Sequence, residues 1–144
     1  MSEADRLARD VTGAMLSREG TGPAWGIMIE EAREGYARVR MKVRADMLNG
    51  HGTTHGGMIF SLADSAFAYA CNSRNETTVA QSAMVSFLAA SKLGDELIAE
   101  ARELSRAGRS GVYQVSVRTA DGGVVAEFTG LSRTIGGAVI ETSK

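Results

Sequence analysis

The sequence has few of the residues that build covalent or metal-based scaffolds. Its 144 residues include one cysteine, one proline, one tryptophan and two histidines. A single cysteine, Cys71, rules out an internal disulfide framework and fits a reducing compartment. His51 and His55 are four residues apart, but no third histidine could complete a typical metal site, so we expect no bound metal.

Long apolar runs and an excess of one charge are also missing. No stretch approaches the length of about 18 uninterrupted apolar residues that a membrane span needs, and the first residues are too charged for a secretory signal. Lys and Arg number 16 and Asp and Glu number 17, for a formal net charge of −1. We therefore expect a cytoplasmic protein with no nucleic-acid or membrane partner.

The length and composition predict one domain spanning residues 1–144, because 44% hydrophobic residues suffice for a core. Residues 3–18 carry apolar side chains at helical spacing and predict an N-terminal helix. Residues 25–32 and 36–43 predict two strands joined by a short turn. From residue 77 onward apolar residues recur at every second position, which predicts four more strands.

The segment from His55 to about Asn72 is apolar on nearly every face, which predicts a buried helix. A single antiparallel sheet covers only one side of such a helix and leaves exposed edges. The order of elements therefore predicts an α+β fold in which the sheet curls around a long central helix. It also predicts that a second copy of the chain buries the remaining apolar surface.

The start of this helix and Asp64 within it together indicate chemistry. The first N–H groups of a helix have no helical partner, and the helix dipole adds partial positive charge there. Gly56 and Gly57 would let an oxygen that is or becomes negative approach these donors. A buried carboxylate such as Asp64 is costly unless it is paired or used. Acyl-group hydrolysis fits both, with Asp64 as general base or nucleophile.

Two residues of the preceding loop join this candidate site. Asn49 is a candidate second donor to the same oxygen, and His55 could orient Asn49 or the loop.

Structural interpretations of these residues stay open at this point. Gly-rich helix starts often follow polar loops, and Asp64 could cap a helix or pair with an arginine. Cys71 lies among apolar neighbours and fits the core better than a nucleophile. The stretch GHGTTHG has one residue too many for a dinucleotide-binding fingerprint and follows no βαβ pattern. No G-x-S-x-G motif is present, which disfavours a serine hydrolase.

Residues 49–73, NGHGTTHGGMIFSLADSAFAYACNS, resemble the signature of hotdog-fold acyl-CoA thioesterases, most closely the phenylacetate-degradation (PaaI-type) branch. The later segments VAQSAMVSFLAAS, GDELIAEAREL, GRSGVYQVSV and VAEFTG are similar as well. The resemblance covers nearly the whole chain after the first helix. It implies a hotdog fold that dimerises into one continuous sheet, two such dimers forming a tetramer, and no cofactor beyond the CoA of the substrate.

The resemblance also implies roles for individual residues. Asn49 and the Gly56 N–H would hold the thioester carbonyl, with Gly57 also contacting substrate. Asp64 would reach this carbonyl from the helix of the partner subunit. Ser82 would help to place the water, and His55 would support the loop. Lys92, Arg106 and Arg109 are candidates to meet the CoA phosphates.

The implied activity is hydrolysis of phenylacetyl-CoA, or of hydroxylated phenylacetyl-CoA and related aryl thioesters, to the free acid and CoA in phenylacetate catabolism. Two alternatives are a non-catalytic acyl-CoA-binding hotdog protein and a hotdog dehydratase of hydroxyacyl thioesters. A binding protein has no need of a buried carboxylate facing the thioester, and a dehydratase would pair a histidine with an acid across the pocket.

Overall fold

The computed structural model describes residues 1–142 as three α-helices, one 3₁₀ turn at Ala45–Met47 and six strands. The helices are α1 (Glu3–Arg18), α2 (Thr21–Trp25) and α3 (Gly56–Asn72). The strands are β1 (Met28–Arg33), β2 (Tyr36–Lys42), β3 (Thr78–Phe87), β4 (Glu96–Ala107), β5 (Ser110–Thr119) and β6 (Val124–Thr134). No helix in this range is long and apolar enough to cross a membrane.

All six strands join one antiparallel sheet in the order β1-β2-β4-β5-β6-β3. The predicted antiparallel sheet is confirmed. The four strands predicted from residue 77 onward are present, but β3 pairs with β6 and not with β4, the next strand in the sequence. Residues 88–95 connect β3 to β4, and eight extended residues reach about 26 Å, enough to pass three strand spacings of roughly 4.8 Å each.

The sheet wraps around α3, as predicted. The apolar residues of α3 pack on the inner face of the sheet, where Phe67 contacts Tyr113 and Phe128 with ring centroids 5.5 and 5.7 Å apart. Leu62 and Tyr69 of the same helix are fully buried. Burial of such large side chains is the main source of stability in a domain of this size.

Element boundaries show where local chemistry overrides the simple pattern. The helix predicted at residues 3–18 is confirmed as α1. The strand predicted from Trp25 begins at Met28, because residues 21–25 form α2. Gly26 ends α2 in the left-handed conformation (φ 68°), and its N–H donates to the carbonyls of Gly22 and Pro23. A glycine after the last helical residue is a common helix stop.

The C-terminal end of α3 is fixed to the sheet by one ionic cluster. The Arg74 guanidinium donates to both carboxylate oxygens of Glu103, at 2.6 and 3.0 Å, and to Glu34 at 2.9 Å. Tyr113 also donates to Glu103, at 2.9 Å. Burial alone would raise the pKa of Glu103, but these hydrogen bonds outweigh it and hold that pKa below its usual value.

The two edges of the sheet differ in how well they are protected. β1 carries Glu30, Glu31 and Arg33 and has a bulge at Glu30, features that discourage pairing with another strand. β3 has ten residues and no charge, and it exposes Met84 by 69% and Phe87 by 53%. A long, uncharged, apolar edge of this kind is suited to pairing with another chain.

Candidate functional site

The loop before α3 is held in place by hydrogen bonds to the segment after β3. Thr54 is buried, and its N–H donates to the Ser91 carbonyl at 2.9 Å. The Ser91 hydroxyl donates to Thr54 Oγ1 at 2.7 Å. The His55 N–H donates to the Met47 carbonyl at 2.8 Å. These contacts fix the position at which α3 begins.

His55 caps α3 by accepting the Gly57 N–H, and the Gly56 N–H stays free within the described residues. Its Nδ1 accepts the Gly57 N–H at 2.8 Å, so the ring proton lies on Nε2 when the imidazole is neutral. The amide of Gly57 is thereby occupied. The Gly56 N–H makes no hydrogen bond within residues 1–142, so Gly56 presents an open donor at the positive end of the helix. His55 supports this site through the helix start, and it makes no hydrogen bond to Asn49 in the described chain.

Asn49 organises its own loop. Its Oδ1 accepts the N–H groups of His51 and Thr53 at 2.9 and 3.2 Å, and its Nδ2 donates to Thr53 Oγ1 at 3.0 Å. A side-chain amide has two N–H donors, so one remains for a ligand. Asn49 lines the same cleft as Gly56, which keeps it a candidate second donor.

Asp64 is half-buried on α3 and has neither a hydrogen bond nor an ion pair within residues 1–142. Burial raises the pKa of Asp64 above its ordinary value. The capping and arginine-pairing interpretations are therefore not what the structure shows. Burial and the nearby Asp64 carboxylate together raise the pKa of the Cys71 thiol to about 12, so that thiol is neutral and belongs to the core.

The face of α3 that bears Asp64 is not covered by the sheet of the same chain. It consists of small and polar residues, Ser61, Ser65 and Ala68, all half-buried. Ser61 donates to the Gly57 carbonyl at 2.7 Å, and Ser65 donates to the Ser61 carbonyl at 2.9 Å. This stripe is the exception on a helix whose sequence is apolar on nearly every face.

Gly56 and Asp64 cannot act on one carbonyl within a single chain. Eight helical residues separate them, which corresponds to about 12 Å along the axis. A general base must lie within about 3 Å of the proton it removes, directly or through one water. The Gly56 N–H and the Asp64 carboxylate therefore lie on one helix but too far apart along it to act together.

The structure does not bring Ser82 to either half. Ser82 pairs with Leu131, one position from Gly130, whose missing side chain faces the Phe67 ring on α3. A bulge at Gln81 sets this register, so the Ser82 side chain lies on the outer face of the sheet, away from α3. The predicted role of Ser82 in placing water therefore has no geometric support within the chain.

The three basic residues lie at opposite ends of the sheet. Lys92 follows β3 near the Thr54–Ser91 contact and pairs with Asp95 at 3.2 Å. Arg106 and Arg109 lie at the turn between β4 and β5, where Arg106 is 3.5 Å from Glu76 and 3.8 Å from Glu103. One chain alone does not gather them into a single phosphate site.

A cleft of about 380 Å³ opens beside the Gly56 N–H. Its lining includes the polar residues Asn49 and Thr54 and the apolar residues Phe87 and Leu88. The sequence did not point to Phe87 and Ser91, because the pairing of β3 with β6 places Phe87 and the crossing of residues 88–95 places Ser91. No group of three or more histidine, cysteine, aspartate or glutamate side chains in residues 1–142 is arranged to hold a metal.

Comparisons with known proteins identify the family and the fold. Residues 51–126 match the model of the thioesterase superfamily. The chain is 43% identical over 126 residues to the acyl-coenzyme A thioesterase PaaI of Escherichia coli K12, covering 88% of this chain and 90% of that protein. The solved structure of E. coli PaaI matches with a TM-score of 0.93 at 40% identity, over 94% of this chain and 99% of that one.

A more distant solved structure carries a ligand. A hypothetical thioesterase from Streptococcus pneumoniae, solved with coenzyme A, matches with a TM-score of 0.75 at 27% identity, over 78% of this chain and 90% of that one. The sheet wrapped around one helix is thus the hotdog fold predicted from the resemblance.

Proposed function

The chain belongs to the thioesterase superfamily and is a thioester hydrolase, and from that premise we propose how it acts and on what. The substrate is an arylacetyl-CoA, such as phenylacetyl-CoA or a hydroxylated phenylacetyl-CoA, in phenylacetate catabolism. The products are the free acid and CoA. The observation that supports the reaction most directly is the pairing of an open Gly56 N–H with an unpaired, half-buried Asp64.

The active protein is at least a dimer formed through β3. Two copies related by a two-fold axis would pair their β3 edges antiparallel and extend the sheet across both chains. Antiparallel pairing places the Phe87 end of one strand beside the Thr78 end of the other. The N-terminal end of one α3 then approaches the middle of the other, which is the arrangement that the distance between Gly56 and Asp64 requires. A dimer of such dimers is the proposed full assembly.

In this arrangement one site takes residues from both chains. The thioester carbonyl oxygen accepts the Gly56 N–H and the free N–H of Asn49, which stabilise the negative charge that develops on it. Asp64 of the partner subunit takes a proton from water as the water attacks the carbonyl carbon, or attacks that carbon itself. The C–S bond then breaks and CoA leaves as a thiolate, a good leaving group that needs no strong acid.

The same antiparallel pairing would bring the Lys92 end of one chain toward the Arg106 and Arg109 end of the other. A CoA phosphate at the mouth of the site could then meet basic residues from both chains. His55 takes no proton in this scheme, because its Nδ1 is occupied by the Gly57 N–H. This is why hydrolysis fits the geometry better than dehydration.

The test is a thiol-release assay with phenylacetyl-CoA and a panel of acyl-CoA thioesters. We expect wild type to hydrolyse phenylacetyl-CoA, and Asp64→Asn to lose about 10²-fold or more in kcat, the range for losing a general base. Asp46→Asn, a control at an exposed carboxylate in the 3₁₀ turn, should stay within twofold of wild type. Comparable turnover by Asp64→Asn would remove Asp64 from the mechanism, and no thiol release across the panel would refute the proposed reaction.

A further inference from the structure

We propose that Phe87 is the residue that selects an aromatic acyl group, by forming the acyl-side wall of the cleft beside the Gly56 N–H. This inference rests on the proposed hydrolysis of acyl-CoA. It starts from the position of the ring. A Cβ atom added to Gly56 would lie 3.0 Å from Phe87 Cζ and 3.3 Å from Cε1. The ring thus packs directly against the backbone that carries the open donor.

The chain holds this ring firmly. Phe87 pairs with the buried Ala126, which places its side chain on the inner face of the sheet, toward α3. Immediately after it, the N–H groups of Leu88 and Ala89 both donate to the Val125 carbonyl, at 2.9 and 3.2 Å. The end of β3 is therefore fixed to β6, and the ring does not depend on a loose loop for its orientation.

The ring faces the cleft although it is fixed. Within a single chain Phe87 is 53% exposed and the neighbouring Leu88 is 60% exposed, and both line the cleft. The polar residues Asn49 and Thr54 line the same cleft. A carbonyl bound to the Gly56 N–H therefore lies in a cleft with both apolar and polar lining, and its two substituents can meet different surroundings.

The chemistry of an acyl-CoA matches this asymmetry. The pantetheine arm on the sulfur side carries amides, which suit the polar part of the lining better than the apolar part. The acyl group needs an apolar contact, which Phe87 offers within reach of the carbonyl. A phenyl ring one methylene from the carbonyl can stack on Phe87 or meet it edge to face, and such aromatic pairs are favourable beyond their buried area. A straight alkyl chain gains only the buried area.

The experiment compares kcat/KM for phenylacetyl-CoA with kcat/KM for hexanoyl-CoA in wild type, Phe87→Leu and Phe87→Tyr. We expect Phe87→Leu to lower this ratio by about 3- to 10-fold, because leucine fills the wall but has no π system. Phe87→Tyr should keep the ratio within twofold. Leu104→Ala, a control at an exposed apolar residue of β4, should leave both rates unchanged.

Each outcome separates this inference from the proposed function. An active wild type with an unchanged ratio in Phe87→Leu overturns the role of Phe87 alone. Equal losses on both substrates mean that the ring acts as general packing, which also overturns it. A shift of Phe87→Leu to smaller species in size-exclusion chromatography would show that the ring belongs to a subunit interface. A wild type that hydrolyses neither thioester refutes the proposed function and, with it, this inference.

Discussion

Asp64 is kept as an ionisable group at a cost to the fold. Its half-buried carboxylate has no cationic partner and no hydrogen-bond donor within the described residues, and its pKa is raised by burial. Active sites are places where such shifted groups concentrate, because a carboxylate with a raised pKa is a better base near neutral pH. The sequence indicated a costly buried carboxylate, because Asp64 is an acidic residue within an apolar helix.

Asp64→Asn should therefore fold more stably than wild type at pH 7. A carboxyl whose pKa is higher in the folded state than in the unfolded state binds protons more tightly when folded, so stability falls as pH rises through that interval. The gain of the variant should be full above the folded pKa and should vanish below the ordinary value of 3.8. Urea unfolding at pH 7 and pH 3.5 measures it, and equal stability at pH 7 would show that the charge is solvated.

The same shift sets the pH dependence of turnover. The base form of Asp64 is the active one, so kcat should rise with pH through a pKa above 3.8 and then level off. A profile of kcat between pH 4 and pH 8 for the wild type, with a thiol-release readout that does not depend on pH, checks this. A flat profile down to pH 4 would mean that chemistry does not limit the rate or that Asp64 stays ionised.

The contact between α3 and β6 depends on the absence of a side chain. An added Cβ at Gly130 would lie 2.8 Å from two atoms of the Phe67 ring, which is 1% exposed and has no room to move. We expect Gly130→Ala to lower the free energy of unfolding by about 1–3 kcal/mol, the usual cost of overpacking a core. Gly13→Ala, in α1 with nothing within 4 Å, should raise it by about 0.5–1 kcal/mol. Chemical denaturation of both variants tests the pair, and a neutral Gly130→Ala would contradict the tight packing.

At the level of elements, the sequence predicted the helices and strands that have a regular spacing of apolar residues. The α1, α3 and strand positions follow from apolar spacing, since burial of one face dictates that spacing. The helix at Thr21–Trp25 was missed because five residues are too short to show a period. The pairing of β3 with β6 was missed because pairing depends on where residues 88–95 carry the chain. The outward position of Ser82 follows from one bulge at Gln81, which leaves no mark in the apolar pattern.

For the whole molecule, the proposed dimer uses β3, the less protected of the two sheet edges. We expect Met84→Lys on β3 to convert the assembly to monomers and to lower kcat/KM at least about tenfold, because the two-fold axis would bring each new charge toward its copy. Met28→Lys is the matched control on β1, where Met28 is 57% exposed. Light scattering and thiol release measured on the same samples test both. A Met84→Lys variant that keeps its mass would show that β3 is not the interface.

The site could be predicted only in part, because some of its residues are close in the sequence and others come together only in the folded chain or between chains. One continuous segment carries His55, Gly56 and Asp64, so their spacing could be read directly from the sequence. Phe87 and Ser91 reach that segment through the sheet, and in the proposed dimer the acid that acts with Gly56 comes from the other chain. The sequence of one chain does not show how the strands of two copies align with each other.

In the proposed dimer, the separation of about 12 Å between Gly56 and Asp64 along one helix means that each site takes Gly56 from one chain and Asp64 from the other. Gly56→Pro would delete the donor and suit the first helical position, after an extended His55 (ψ 133°), with the half-exposed Phe87 ring shifting away from the new Cβ. That variant and Asp64→Asn, each inert alone, would recover about a quarter of normal turnover when their chains are unfolded and refolded together, since half of the random pairs hold one undamaged centre. Recovery of activity by two inactive variants in one cell would then show that each active site is shared between two subunits.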